Sequence, residues 1–135
     1  MLVFKQKGSI SLRESVLRSP WRNRRILKEI LYRNVTVSGG DLIDLGYVKS
    51  SNGKRIFRDN LYIVCPICFK RGNLMIFNTY TGLYNHCRHR VDDLEHQALE
   101  FIMGGDSIKA FMKYARERPL TDLISIRLNN HGSRR

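Results

Sequence analysis

The 135 residues include only three cysteines, three prolines and one tryptophan, and no apolar run reaches membrane length. A bilayer-spanning helix needs about 18 or more consecutive apolar residues, so no membrane contact is expected. The opening MLVFKQKGSIS reaches Lys5 after four residues, and no apolar run of signal length follows, which predicts no secretory leader. Three cysteines cannot all pair within one chain, and Cys65 and Cys68 are only two residues apart. That argues against a disulfide framework and for metal binding in a reducing, intracellular compartment. Acidic residues are also scarce, 12 against 24 lysines and arginines, for a net charge of +12.

The surplus is uneven. Residues 1–72 hold 15 basic and five acidic side chains, net +10, while residues 73–135 hold nine and seven, net +2. A polyanion partner is expected, with its footprint mainly on the first half. Hydrophobic residues make up 42% of the chain, enough for a packed core. A core this small is often supplemented by a metal or a partner.

Three regions are expected: a basic nucleic-acid-binding region over 1–62, a metal-binding unit over 63–103, and a helical segment with a mobile basic tail over 104–135. Ser19 before Pro20 is a helix-start signal, and Ile26, Leu27, Ile30 and Leu31 form one apolar stripe, predicting an amphipathic helix from Pro20 to Arg33. Arg22, Arg24, Arg25 and Lys28 fall largely outside the stripe and are candidate phosphate contacts. Gly39-Gly40 breaks the chain, and Asp41 to Leu45 suits a short helical turn ended by Gly46. Tyr47–Ser50 and Arg55–Val64 read as strands around Ser51-Asn52-Gly53-Lys54, because Asn-Gly tolerates the positive φ of a tight hairpin. Lys49, Lys54, Arg55 and Arg58 decorate that hairpin. Helix, short helix, then basic hairpin resembles a winged-helix domain over roughly residues 8–64. In that family the hairpin is the wing, which touches DNA backbone or minor groove. The segment in the recognition-helix position, GGDLIDLG, departs from the pattern: it is short, and Asp41 and Asp44 repel phosphate.

Cys65-Pro-Ile-Cys68 lets two thiolates face one ion from a turn, and His86 and His89, three apart, share a helix face. Phe77, Leu83 and His86 then have the core spacing of the Cys2His2 zinc finger, which this stretch resembles. The resemblance implies one structural Zn²⁺ held by Cys65, Cys68, His86 and His89, with Phe77 and Leu83 packed beneath it. The seventeen residues between Cys68 and His86 exceed the usual twelve or so, so the hairpin FKRGNLMIF is expected to be extended, turning at Arg71-Gly72-Asn73. Cys87 and His96 are alternative ligands, though Cys87 points about 100° away from His86 on a regular helix. Helices are predicted from Arg90 to Met103 and through IKAFMKYARER; Leu120–Leu128 reads as either helix or strand.

Four protein ligands close a zinc shell, and His-Glu-x-x-His and the deaminase His-x-Glu pattern are both missing, so no enzyme activity is expected. Thr79, Thr81, Asn85, Arg88 and Arg90 could reach a groove, but Asp92, Asp93, Glu95 and Glu100 follow and disfavour deep docking. The expected fold class is α+β: a winged-helix-like N-terminal half, a ββα zinc-finger-like unit with an extended hairpin, and a helical C-terminal segment. The arrangement resembles small DNA-binding proteins of archaeal viruses and mobile elements. It implies a regulator of transcription that binds double-stranded DNA in the cytoplasm or nucleoid of a host cell. A homodimer is compatible with so small a footprint. Two other readings stay open. One is an RNA- or single-strand-binding protein that stacks bases on Tyr47, Phe57, Tyr62, Phe69 or Tyr80; the other is a zinc-stabilised protein adaptor.

Overall fold

The apolar stripe after Pro20 becomes helix α1 (Pro20–Val35) in a computed structural model whose described residues run from 20 to 126. Ser19, the residues before it and the 127–135 tail lie outside the described residues. Leu27, Leu31 and Val35, spaced by four, are fully buried, with Ile26 and Ile30 packed beside them. The chain continues into strand β1 (Thr36–Ser38) and helix α2 (Gly39–Asp44), which Ser38 caps through its Oγ, accepting from the Asp41 amide at 3.0 Å.

A three-stranded antiparallel sheet joins β1 to β2 (Leu61–Val64) and β2 to β3 (Ile76–Phe77). Thr36 faces Ile63 and Ser38 faces Leu61 across one seam, and Val64 faces Ile76 across the other. Strand side chains alternate between faces. Ile63 accordingly packs into a large core, while Tyr62 and Val64 join a smaller one with Val37, Leu42, Ile56, Leu74 and Ile76. The large core draws on Leu27 and Leu31 of α1, Leu83 of α4 (Tyr80–Arg88), and Leu99, Phe101 and Ile102 of α5 (Leu94–Met103). Phe111 and Tyr114 of α6 (Ile108–Glu117) and Leu123 of α7 (Thr121–Ile124) complete it. Helix α3 (Pro66–Lys70) lies between β2 and β3. The architecture is α+β, and no helix among the described residues is long and apolar enough to cross a membrane.

The expected hairpin strands take a different course. Residues 47–56 form a tight loop with one bridge, Lys49 to Arg55, and only Leu61–Val64 of the second run is a strand. Its partners are β1 and β3, not residues 47–50, because the loop closes on itself, the Ser50 amide donating to the Lys54 carbonyl and the Ile56 amide to the Val48 carbonyl. The Asn52 side chain behaves like a short strand, donating Nδ2–H to the Ile76 carbonyl at 2.9 Å and accepting from the Ile76 amide. The Ser51 amide donates to the Leu74 carbonyl, and Ser51 Oγ accepts from the Leu74 amide. The loop is thereby fastened along residues 74–76.

The FKRGNLMIF segment also departs from its expected hairpin. Phe69 and Lys70 end α3, the chain reverses at Gly72 (φ +93), and only Ile76–Phe77 is a strand. Cys65 caps α3 and Pro66 occupies its first turn, a combination that starts a helix and not a strand. Helix α5 begins at Leu94, four residues later than expected, because the Asp93 carboxylate accepts from the Glu95 and His96 amides. Helix α6 follows the predicted span, and the described part of Leu120–Leu128 resolves as the short helix α7.

Gly39 sits where the α2 entrance touches the 57–60 turn. A Cβ there would lie 1.8 Å from the Phe57 carbonyl oxygen, a backbone atom that cannot swing aside. Gly39→Ala is expected to destabilise the fold by about 2–3 kcal/mol. Gly53, at φ +86 with open space around it, should cost about 1 kcal/mol as alanine. Thermal unfolding of both variants by circular dichroism checks the order; equal losses would mean that the Gly39 approach is loose.

Candidate metal centre

Three segments deliver four ligand atoms to one buried point. Cys65 follows β2 and caps α3, Cys68 lies within α3, His86 is in the last turn of α4, and His96 is in the first turn of α5. Cys68 Sγ is 3.3 Å from His86 Nε2 and 3.6 Å from His96 Nε2, and Cys65 Sγ is 3.5 Å from His96 Nε2. All four ligand atoms lie within 4.8 Å of one another. A tetrahedral ion with sulfur at about 2.3 Å and nitrogen at about 2.0 Å holds sulfur and nitrogen about 3.5 Å apart, so the spacing fits a single ion.

The electrostatics point the same way. Burial pushes the Cys65 thiol up to about 12. The Cys68 thiol is raised too, first by its hydrogen bond with Cys65 and then by burial. Without a cation both sulfurs are protonated at neutral pH; a bound ion must displace those protons. His96 Nδ1 is buried and lacks a well-aligned hydrogen bond, yet the Asp93 carboxylate approaches it obliquely at 3.0 Å. A carboxylate behind a ligating imidazole orients the ring and makes its far nitrogen more basic. The Phe77 ring lies 5.1 Å from the His86 ring, and Leu83 is fully buried in the large core.

Asp93 and Glu95 also bind the Cys-x-x-Cys turn to α5. Arg71 reaches Asp93 at 2.6 Å and Glu95 at 2.6 Å; Arg118 reaches the other Glu95 oxygen at 2.6 Å, with Lys70 at 3.4 Å. Burial alone would raise the Asp93 carboxyl, but Arg71 and His96 outweigh it and hold it well below the usual carboxylate range. Burial is likewise overcome at Glu95 by Lys70, Arg71 and Arg118. These acids, which in the sequence looked only like a repulsive run, support the site.

His89, expected as the fourth ligand, lies outside this group. It is the exposed C-cap of α4. At about 100° per residue, His86 and Cys87 flank the inward Leu83 direction by about 60° and 40°, whereas His89 is about 120° away. His96 takes the fourth place because the chain turns between α4 and α5 and brings the start of α5 back across the sulfurs. Cys87 is fully buried and outside the four-atom group. No local signal singled out His96, because His89 has Asp92 at the same three-residue spacing that His96 has to Asp93.

The expected phosphate contacts separate into two kinds. Arg24 donates to the Gly105 carbonyl at 2.7 Å and lies 4.2 Å over the Phe101 ring, so it fastens α1 to the α5–α6 corner. Arg58 is exposed at 3.5 Å from Asp44. Arg25 and Lys28 are exposed on α1, as are Lys49, Lys54 and Arg55 on the loop; Arg22 is in the first turn of α1, and its side chain lies outside the described residues. Tyr62, a candidate stacking ring, is buried with its hydroxyl accepting from the Phe57 amide. No protein-family model, no curated protein and no solved structure matches the chain.

Purified protein should carry one metal ion per chain. Cys65→Ser, Cys68→Ser, His86→Ala and His96→Ala should each abolish stoichiometric binding, while His89→Ala and Cys87→Ser retain it. Asp93→Asn should lower affinity about 10–100-fold. Chelator competition should show tighter binding at pH 8 than at pH 6, because the raised thiols release protons on binding. Metal loss in His89→Ala, with retention in His96→Ala, would overturn the ligand assignment.

Proposed function

We propose that the chain is a zinc-containing nucleic-acid-binding protein that holds double-stranded DNA and regulates transcription. Two thiolates and two imidazoles are the donor set that zinc prefers, and four protein ligands leave no coordination position for substrate. The role of the metal is therefore structural, and the protein is not an enzyme.

One observation carries the DNA reading. Lys49 and Arg55 are directly opposite each other in an antiparallel bridge, so their side chains leave the same face. Like charges in that position repel. Lys54 is exposed beside them, and none of the three meets a carboxylate among the described residues. Elsewhere Lys70, Arg71 and Arg118 are neutralised by Asp93 and Glu95. A polyanion would relieve the uncompensated loop and leave the paired cations undisturbed. Phe57, 55% exposed between Arg55 and Arg58, favours a second reading in which the loop meets unpaired bases. Competition between duplex DNA, single-stranded DNA and RNA at one salt concentration separates the two.

Neutralising Lys49, Lys54 and Arg55 together should weaken duplex binding and flatten the log–log salt dependence, by about one for each phosphate no longer neutralised. Neutralising Arg25 and Lys28 should act in the same direction. Neutralising Lys109, Lys113 and Arg116 should leave the slope unchanged. A slope that responds most to the C-terminal set would place the footprint on the other half and remove the support for this reading.

A further inference from the structure

A cleft of about 690 Å³ opens between α1, the start of α4 and the end of α5. Arg25, Lys28, Glu29 and Tyr32 line it from α1, Tyr80 from α4 and Met103 from α5. Arg24 also borders it, but is engaged with Gly105 and Phe101. The volume is within the range of small-molecule sites. Arg25, Lys28 and Tyr32 are spaced i, i+3, i+7, so they occupy one face of α1 and span about 10 Å along its axis. The cationic end and the aromatic end of the cleft are thus separated by roughly the length of one nucleotide.

The chemistry of the lining is that of a nucleotide. Tyr32 is 53% exposed, although it is a large ring, and meets Tyr80 edge-on with centroids 4.7 Å apart. A T-shaped contact covers at most one face of Tyr32, and its exposure leaves ring surface for a stacked base. The Tyr80 hydroxyl is buried and has no hydrogen-bond partner among the described residues. Arg25 and Lys28 are exposed cations at the other end, and Glu29 offers an acceptor for a ribose hydroxyl or a base amino group. Purely anionic ligands would use only the cations and leave the aromatic wall idle. Duplex DNA would keep its base faces inside the stack.

We propose that this cleft binds a nucleoside monophosphate unit, free or as an unpaired residue of a single strand. The base stacks on Tyr32, with Met103 and Tyr80 as its apolar surround, and Arg25 and Lys28 hold the phosphate. The site goes beyond the duplex-backbone reading: it shares Arg25 and Lys28 with that reading but does not use the 49–55 loop.

The test uses the full-length, metal-loaded chain titrated with adenosine 5′-monophosphate, adenosine and inorganic phosphate, and separately with a fluorescent octa-adenylate. The monophosphate should saturate, shift the ring resonances of Tyr32 and Tyr80, and bind at least about tenfold more tightly than adenosine or phosphate alone. Tyr32→Ala should weaken it about tenfold. Tyr32→Leu, which keeps apolar contact with Tyr80 but removes the stacking ring, should do the same with unchanged metal content and melting temperature. Lys54→Gln with Arg55→Gln should leave monophosphate affinity unchanged while weakening duplex binding, so failure of one reading is separable from failure of the other. An octa-adenylate that binds far more tightly than the monophosphate, and is displaced by it, identifies a single strand as the source. Equal affinities identify a free nucleotide. No saturation by either probe up to about 10 mM, or saturation indifferent to both Tyr32 variants, would overturn the proposal.

Discussion

Everything near the middle of the chain depends on bringing two buried sulfurs and two imidazole nitrogens to one point. Desolvation favours the protonated thiol, as the raised Cys65 thiol shows, and a cation reverses that preference. The donors come from segments far apart in the chain, so one bound ion would tie β2, α3, α4 and α5 together. Cys65, Cys68, Leu83 and Cys87 belong to the same buried cluster as Leu27, Phe101 and Phe111. The centre is embedded in the core instead of hanging from it, and ligand geometry and core packing cannot be varied independently.

A second layer of charge holds the first in place. Asp93 begins α5, faces the back of the His96 ring and receives Arg71 from the opposite side of the site. Glu95 gathers Lys70, Arg71 and Arg118. Half-buried pairs of this kind are screened less than surface pairs, and losing one partner leaves an uncompensated charge. Asp93 and Glu95 are therefore used inside the fold, while Arg25, Lys28, Lys49, Lys54 and Arg55 of the first half stay exposed. That division separates a cation that fastens, such as Arg24, from cations such as Lys49 and Arg55 that face each other across an exposed loop.

Much of the helical content was legible in the sequence. Pro20 and the Ile26–Leu31 stripe mark α1 and the Phe111–Ala115 stripe marks α6, because capping chemistry and 3.6-residue periodicity act locally, whereas α2 starts at Gly39 under its Ser38 cap, two residues before the expected Asp41. The strands were less legible. Leu61–Val64 is strand-like by composition, but its neighbours, Thr36–Ser38 and Ile76–Phe77, are too short to announce themselves. The Asn52-Gly53 turn was readable, whereas the docking of Asn52 onto Ile76 was not, since it joins residues 24 apart.

The sequence by itself marked a Cys-x-x-Cys pair and downstream histidines as a candidate metal site, since thiol and imidazole spacing is a local property. It also determined that the basic surplus would lie in the first half. Only the tertiary structure decided which histidine completes the set. His89 and His96 are chemically identical, and the choice depends on where α4 ends, how the chain turns and how Asp93 starts α5. It alone separated Arg24 from Arg25, neighbours of the same type, because one faces Phe101 and Gly105 and the other faces solvent. Charge and ligand type are carried by single residues, but direction and distance are set by the packing of helices that the chain brings together from far apart.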